Sequence, residues 1–222
     1  MQQKNYNPEE FKADITSVVE KENLRSINLG CGWDLFPKNW LHIGLFEDNR
    51  IPYGSVRKIN GGYVAHYDIR EGLPFSENSI QYIYGSHVIE HFSLQEGIDL
   101  FAECHRIMRS GGAIRMITPD LEIWIGNYRE NNRQYFDRFY ELHKSFPDLR
   151  TNGEILVGQI QGWGHKWLYD YDSLHDVMGR VGFANIKKKT HYESVIPDLE
   201  SVEPSVELRT MESLYIEGEK VS

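Results

Sequence analysis

The stretch Ser26-Ile27-Asn28-Leu29-Gly30-Cys31-Gly32 limits the fold more than any other part of the chain. A short apolar segment with strand character runs straight into Gly-x-Gly. A strand that ends this way brings bare backbone against whatever lies beyond it, because glycine has no Cβ to hold a neighbour off. Its place near the N-terminus suits the first strand of an α/β domain. The third glycine of the dinucleotide fingerprint is missing. Taken alone, the turn therefore also fits an ordinary tight turn, and the downstream pattern has to separate the two.

That pattern alternates. Residues 8–22 are expected to form a helix, with Phe11, Ile15, Val18 and Val19 on one face and Asn7-Pro8-Glu9-Glu10 as its start. Strands are expected at 26–29, 40–46, 64–68, 79–84, 113–118, 183–189 and 213–219. Residues 48–62, with Pro52, Gly54, Gly61 and Gly62, read as loop. Residues 94–109 carry an amphipathic stripe of Leu94, Ile98, Phe101, Ala102 and Ile107, closed by Ser110-Gly111-Gly112. Residues 121–146 read as one aromatic helix, 151–167 as a loop or lid, and 172–181 as a helix stopped by Gly182. Strands alternating with helices, then a late strand pair, predict an α/β fold: a Rossmann-like, doubly wound, seven-stranded, mostly parallel sheet with the last strand antiparallel.

At 222 residues the chain is expected to be one domain with a substantial core. Its 24 basic and 33 acidic residues give a net charge of −9, which argues against a general binder of nucleic acid or anionic membrane. No apolar run is long enough to span a bilayer and the first residues lack a signal-peptide core, so a cytoplasmic location is expected. Cys31 and Cys104 have neither metal-type nor disulfide-framework spacing.

Ligands of doubly wound sheets bind outside the carboxyl ends of the strands. Here those ends carry Gly30 to Gly32, Glu47 and Asp48, Asp68, Ser86 to His91, and Thr118 to Asp120. Asn28-Leu29-Gly30-Cys31-Gly32, Leu73-Pro74-Phe75, His87-Val88-Ile89-Glu90-His91-Phe92 and Glu103-Cys104-His105-Arg106-Ile107-Met108-Arg109-Ser110-Gly111-Gly112 together resemble a class I S-adenosylmethionine-dependent methyltransferase. The resemblance is to small methyltransferases of the type-11 kind, including ones associated with polysaccharide biosynthesis, and spans roughly residues 24–220.

The resemblance implies a single methyltransferase domain over 1–222, with an N-terminal helix at about 1–23 and a helix-and-lid segment at about 121–170 over the acceptor side. It implies S-adenosylmethionine as cofactor, S-adenosylhomocysteine as product, and a small-molecule or sugar acceptor methylated on a hydroxyl, with an amine as second choice. Gly30, Cys31 and Gly32 would pass under the methionine part of the cofactor. Asp68 and Ile69 match the adenine-binding acid and its neighbour, and Ser86 and His87 fall where backbone carbonyls receive the ammonium. One position departs from the pattern: Gly44 stands where an acid normally accepts the ribose hydroxyls, leaving Glu47 or Asp48 to reach back. That departure motivates the alternative of a degenerate cofactor-binding scaffold.

A hydroxyl acceptor must lose a proton, and histidine suits that task near neutral pH. His91 and His165 are the candidate bases, with Asp120 as orienter. No metal ligand set is expected. His87-x-x-Glu90-His91 also has the spacing of an inverted zinc-peptidase motif, a remote alternative because the pattern follows a strand and Gly-Ser directly.

Overall fold

The computed structural model describes residues 6–32, 37–46, 50–143, 148–203 and 206–221. Helix α1 (Pro8–Lys21) starts as its sequence dictates: the Asn7 side chain accepts the Glu9 and Glu10 N–H groups and Pro8 fills the first turn. Then come strands β1 (Ser26–Leu29), β2 (Trp40–Gly44), β3 (Ser55–Ile59), β4 (Gly62–His66) and β5 (Ile80–Ser86). Helix α2 (Leu94–Ile107) begins at a capping box in which Ser93 and Glu96 satisfy each other's backbone N–H groups, and it leads directly into β6 (Met108–Pro119). Helices α3 (Leu121–Arg129), α4 (Arg133–His143), α5 (Asn152–Gln161) and α6 (Tyr171–Arg180) precede β7 (Ala184–Lys189), α7 (Glu207–Glu212) and β8 (Ser213–Lys220).

The strands form one sheet in the order β3-β4-β2-β1-β5-β6-β8-β7. The central strands β4, β2, β1, β5 and β6 run parallel, β8 pairs antiparallel with both β6 and β7, and β3 pairs antiparallel with β4. The expected fold class holds, with eight strands among the described residues instead of seven. The extra strand, β3, lies inside the segment expected to be loop. Its residues are partly exposed, so it lacks the apolar signal of a buried strand, and pairing with β4 through the turn at Asn60 and Gly61 creates it.

Successive strand residues face opposite sides of a sheet. Ile83, Ile114, Met116 and Ile216 join Phe11, Ile15, Phe101 and Leu174 in the main core, on the face covered by α1, α2 and α6. Tyr84, Ala113, Ile117 and Tyr215 face the other way and pack on Trp40, Ile196, Leu199 and Val202. That second face is covered at this end by the segment after β7, which Arg115 ties down. Its guanidinium is fully buried, donates to both Glu203 carboxylate oxygens at 2.6 and 2.9 Å, and also donates to the Thr190 and Glu193 carbonyls.

Three further expectations are corrected. Ser110-Gly111-Gly112 does not follow a helix end with a loop; it lies within β6, and a Cβ on Gly112 would sit 2.6 Å from the Gln81 carbonyl oxygen. The aromatic stretch 121–146 is two helices as far as it is described, broken where Asn131 takes φ +50°. Residues 152–161 form helix α5, started by a Thr151–Glu154 capping box, so only the segment after it is lid-like loop. Trp124, Phe136, Phe139, Ile155 and Leu156 give α3, α4 and α5 an aromatic core of their own. Among the described residues, no helix is long and apolar enough to cross a membrane.

Candidate functional site

The glycine turn lies at the end of β1 beside the end of β5. Gly30 takes φ +68°, and a Cβ there would stand 2.6 Å from Val88 Cγ2. Glycine is thus demanded twice, by conformation and by space. Gly30 and Cys31 both donate their N–H to the Ile43 carbonyl, at 2.8 and 3.2 Å, which fastens the turn to β2. Around it opens a cleft of about 550 Å³ at the carboxyl ends of β1, β2, β4 and β5, within the range of small-molecule sites.

Gly30 and Gly32 form one wall, and Gly44 and Leu45 continue it from β2. Tyr67, Asp68, Ile69 and Arg70 line the cleft after β4; His87, Val88, His91 and Phe92 line it after β5; Trp163 reaches it from the segment after α5. Another depression, of about 560 Å³, is bounded by Leu121, Glu122, Asp170 and Lys188, and it contains none of the glycine turn, Asp68 or the histidines.

Most sequence-selected residues therefore meet at one place. Cys31, Ser86, Asp120 and His165 do not line the cleft. The Cys31 side chain packs with Phe46, Ile51 and Val64, and burial pushes its thiol up to about 12. Any part Cys31 plays toward a ligand falls to its backbone. Glu47 and Asp48 lie outside the described residues. At Gly44 a Cβ would sit 3.1 Å from the Phe46 ring and 3.2 Å from Cys31 Sγ, so these two side chains occupy the space an acid would need.

Asp68 faces the cleft from a 3₁₀ turn that it caps itself. Its Oδ1 accepts the Arg70 N–H at 3.1 Å, and the Arg70 guanidinium donates to both carboxylate oxygens, at 2.7 Å in the shortest contact. Arg70 was not singled out from sequence, because a surface arginine two residues after an acid carries no distinctive signal.

The His87 block leaves β5 through a residue in left-handed conformation: His87 has φ +51° and donates its N–H to the Ile117 carbonyl. Ile89–His91 is a short 3₁₀ turn. His87 Nε2 lies 2.9 Å from Ser213 Oγ, and its Nδ1 is 3.2 Å from Glu90 Oε1. Burial lowers the His87 pKa, favouring the neutral ring. The zinc-peptidase spacing thus fails in three dimensions. It needs both histidines on one face of an α-helix, whereas His87 is turned to Ser213 and joined to His91 by a 3₁₀ turn.

The group that does converge is Glu90, His91 and His165. Glu90 is fully buried; Thr118 Oγ1 donates to its Oε2 at 3.4 Å, and the 3.2 Å approach of His87 to its Oε1 lacks hydrogen-bond geometry. The Glu90 carbonyl accepts the N–H groups of Lys166 and Trp167, at 2.8 and 3.2 Å, which pins the segment after α5 onto this turn. The His91 and His165 rings meet edge to face at 5.0 Å.

His165 Nδ1 lies 2.8 Å from the Gln159 carbonyl oxygen. A carbonyl only accepts, so Nδ1 carries the hydrogen and Nε2 offers a lone pair. Burial lowers the His165 pKa and keeps that lone pair available near neutrality. Asp120 does not orient either histidine. Its fully buried carboxylate caps α3 through the Glu122 N–H and pairs with Lys188 Nζ at 3.1 Å. An aspartate right after a strand and before a helix is an N-cap by position, and that demand wins here.

A methyltransferase-domain family model matches residues 53–116, from β3 through the middle of β6. No curated protein matches the chain. Among solved structures, an S-adenosylmethionine-dependent methyltransferase from Archaeoglobus fulgidus superposes with a TM-score of 0.50 at 14% identity, covering 96% of this chain and 95% of that one. A phosphoethanolamine N-methyltransferase 2 from Haemonchus contortus, in complex with phosphomonomethylethanolamine and S-adenosylhomocysteine, is similar at TM-score 0.49 and 12% identity over 93% of this chain and 52% of that one. A possible histamine N-methyltransferase from Thermotoga maritima is similar at TM-score 0.47 and 14% identity, covering 96% of this chain and 97% of that one. The Archaeoglobus superposition shows that the fold is shared. The matched model is that of a methyltransferase domain and covers less than a third of the chain.

Proposed function

We propose that this chain methylates a hydroxyl group of a small molecule or sugar, with S-adenosylmethionine seated in the cleft at the ends of β1, β2, β4 and β5. The observation that carries this reading is the convergence of Gly30, Gly32, Asp68, Ile69 and His87 on that cleft, with His91 on its wall. Gly30 and Gly32 pass under the methionine part, and Cys31 adds only backbone. Asp68 accepts the adenine amino group beside Ile69 once Arg70 yields one of its two contacts. His87 receives the ammonium through its carbonyl oxygen, while Ser86 lies off the cleft wall. Gly44 supplies no ribose carboxylate, so more of the affinity rests on the two ends of the cofactor.

The bound sulfonium supplies an already activated methyl group. The protein's task is then to align the acceptor oxygen in line with it, and such positioning supplies up to ~7–11 kcal/mol of the barrier. Trp163 and the segment after α5 cover the acceptor side as a lid. His165 Nε2, neutral and bearing a lone pair, lies at that edge to receive the hydroxyl proton, with His91 as the other imidazole within reach. An amine acceptor is the second choice.

The test is calorimetric titration with S-adenosylmethionine and S-adenosylhomocysteine, followed by transfer of labelled methyl to a panel of hydroxylated small molecules and sugars. Micromolar binding, about −8 kcal/mol, and label in an ether product are expected. Binding without transfer to any hydroxyl, alongside transfer to amines, would overturn the choice of acceptor.

A further inference from the structure

We infer that Glu90, His91 and His165 form a binding site for a first-row divalent transition metal at the acceptor edge of the cleft. One carboxylate oxygen of Glu90 and one ring nitrogen from each histidine lie within 4.8 Å of one another. His165 Nε2 and Glu90 Oε1 are 4.0 Å apart. A metal at ~2.1 Å from each ligand atom spans the gap between those two atoms, and side-chain shifts that close the widest separation by roughly 1.5 Å bring the three to the spacing of a tetrahedral or octahedral face.

The cluster carries a sign that it is built for a ligand. Glu90 is fully buried, and His87 Nδ1 approaches its Oε1 at 3.2 Å without hydrogen-bond alignment, leaving that oxygen poorly satisfied. A buried carboxylate oxygen whose nearest donor is misaligned is costly to leave so, and a cation removes that cost. The second sign is the tautomer of His165. Its Nδ1–H is spent on the Gln159 carbonyl, which fixes the ring and aims Nε2 toward Glu90. An imidazole whose far nitrogen donates to a backbone carbonyl is the usual support behind a metal-ligating histidine. Thr118 Oγ1 on Glu90 Oε2 supports the carboxylate in the same way.

The donor set names the metal class. Two imidazoles and one carboxylate suit Zn²⁺, Co²⁺, Fe²⁺ or Mn²⁺; Ca²⁺ and Mg²⁺ favour all-oxygen sites. Three protein ligands also leave positions open, as in catalytic sites and not structural ones. Of the three ligands His91 lines the cleft, so the site adjoins it. The chemical use of the site rests on the proposed function: an acceptor hydroxyl oxygen in the open position would lose its proton more readily, to water in the cleft, and the two histidines would then act as ligands, not as bases.

Tag-free, metal-stripped full-length protein titrated with Co²⁺ and followed by its visible absorption tests the site directly. A d–d band that saturates at one equivalent and is bleached by Zn²⁺ is expected. His165→Ala, and separately the near-isosteric Glu90→Gln, should each weaken Co²⁺ binding at least about tenfold while circular dichroism shows the fold kept. His91→Gln serves where either variant fails to fold. No band with the wild-type protein, or wild-type affinity in folded variants of all the ligands tried, overturns the site. The same stripped protein titrated with S-adenosylhomocysteine separates the two readings. Nucleoside binding without Co²⁺ binding removes the metal site alone, and Co²⁺ binding without nucleoside binding removes the proposed function alone.

Discussion

Replacing Gly30 with alanine puts two costs on one methyl group. The first is conformational: φ is +68°, and a non-glycine residue there costs ~1–2 kcal/mol. The second is steric: the new Cβ would lie 2.6 Å from Val88 Cγ2 and 2.9 Å from Val88 Cβ, and overpacking a tight site costs ~1–3 kcal/mol. Gly30→Ala should therefore lose roughly 2–5 kcal/mol of stability. Gly32 provides the internal control. Its φ is +54°, but a Cβ there meets nothing within 4 Å, so Gly32→Ala should lose only the conformational part, ~1–2 kcal/mol. Val88→Ala removes the 2.6 Å contact and leaves the 2.9 Å one. Combined with Gly30→Ala it should recover part of the steric cost, as a coupling of ~1 kcal/mol or more. Urea unfolding followed by tryptophan fluorescence reads all four proteins, and calorimetry with S-adenosylhomocysteine reads the cleft. A Gly30→Ala loss no larger than that of Gly32→Ala, or additive behaviour with Val88→Ala, would refute the reasoning.

Breaking the buried Arg115–Glu203 pair with Glu203→Ala should cost ~3–5 kcal/mol, because a fully buried guanidinium loses its bidentate partner; a loss under about 1 kcal/mol in the same urea assay would contradict it. Burial raises the Glu212 carboxyl to about 7. Its folded pKa then lies above the unfolded one, so the folded state holds the extra proton and stability falls as pH rises from the ordinary carboxylate range through about 7. The amide of Glu212→Gln imitates the protonated acid, so melting temperatures of wild type and variant should agree at the acid end of that window and diverge toward neutrality, the wild type falling while the variant stays level; a flat wild-type profile that the variant copies would count against the shift. Burial raises both Cys31 and Cys104 thiols, so neither should react with iodoacetamide at pH 8 until denaturant is added, as mass spectrometry would report.

The strand-to-glycine turn, the parallel centre of the sheet and the antiparallel last strand are legible in the sequence because each is dictated locally, by apolar runs and by glycines at fixed places. What escaped was set by partners far along the chain. Strand β3 exists because β4 offers an edge to pair with, although its own residues are half-exposed. Helix α5 was hidden by its glycines and tryptophan-rich continuation, although Thr151 and Glu154 have the spacing of a capping box. In the site, Gly30, Asp68 and His87 stand at strand ends and were found by that rule. Asp120 stands at a strand end too, but the start of α3 claims its carboxylate. The nearness of His165 to Glu90 depends on the fold of the segment between α5 and α6, and neither periodicity nor spacing encodes that.

The aromatic core shared by α3, α4 and α5 is separate from the core that supports the sheet. Elements with their own buried cluster open and close as a cooperative unit, at a free energy below that of the whole molecule. Hydrogen exchange should accordingly divide the protein in two, with amides of β1, β5 and β6 protected to the global limit and those of α3 to α5 released earlier. The same division separates selective pressures. On the proposed function, residues that pick the acceptor would be exchanged within the outer cluster while the strands that would seat the nucleoside keep their packing, so one scaffold would change what it modifies without rebuilding what it uses to modify it.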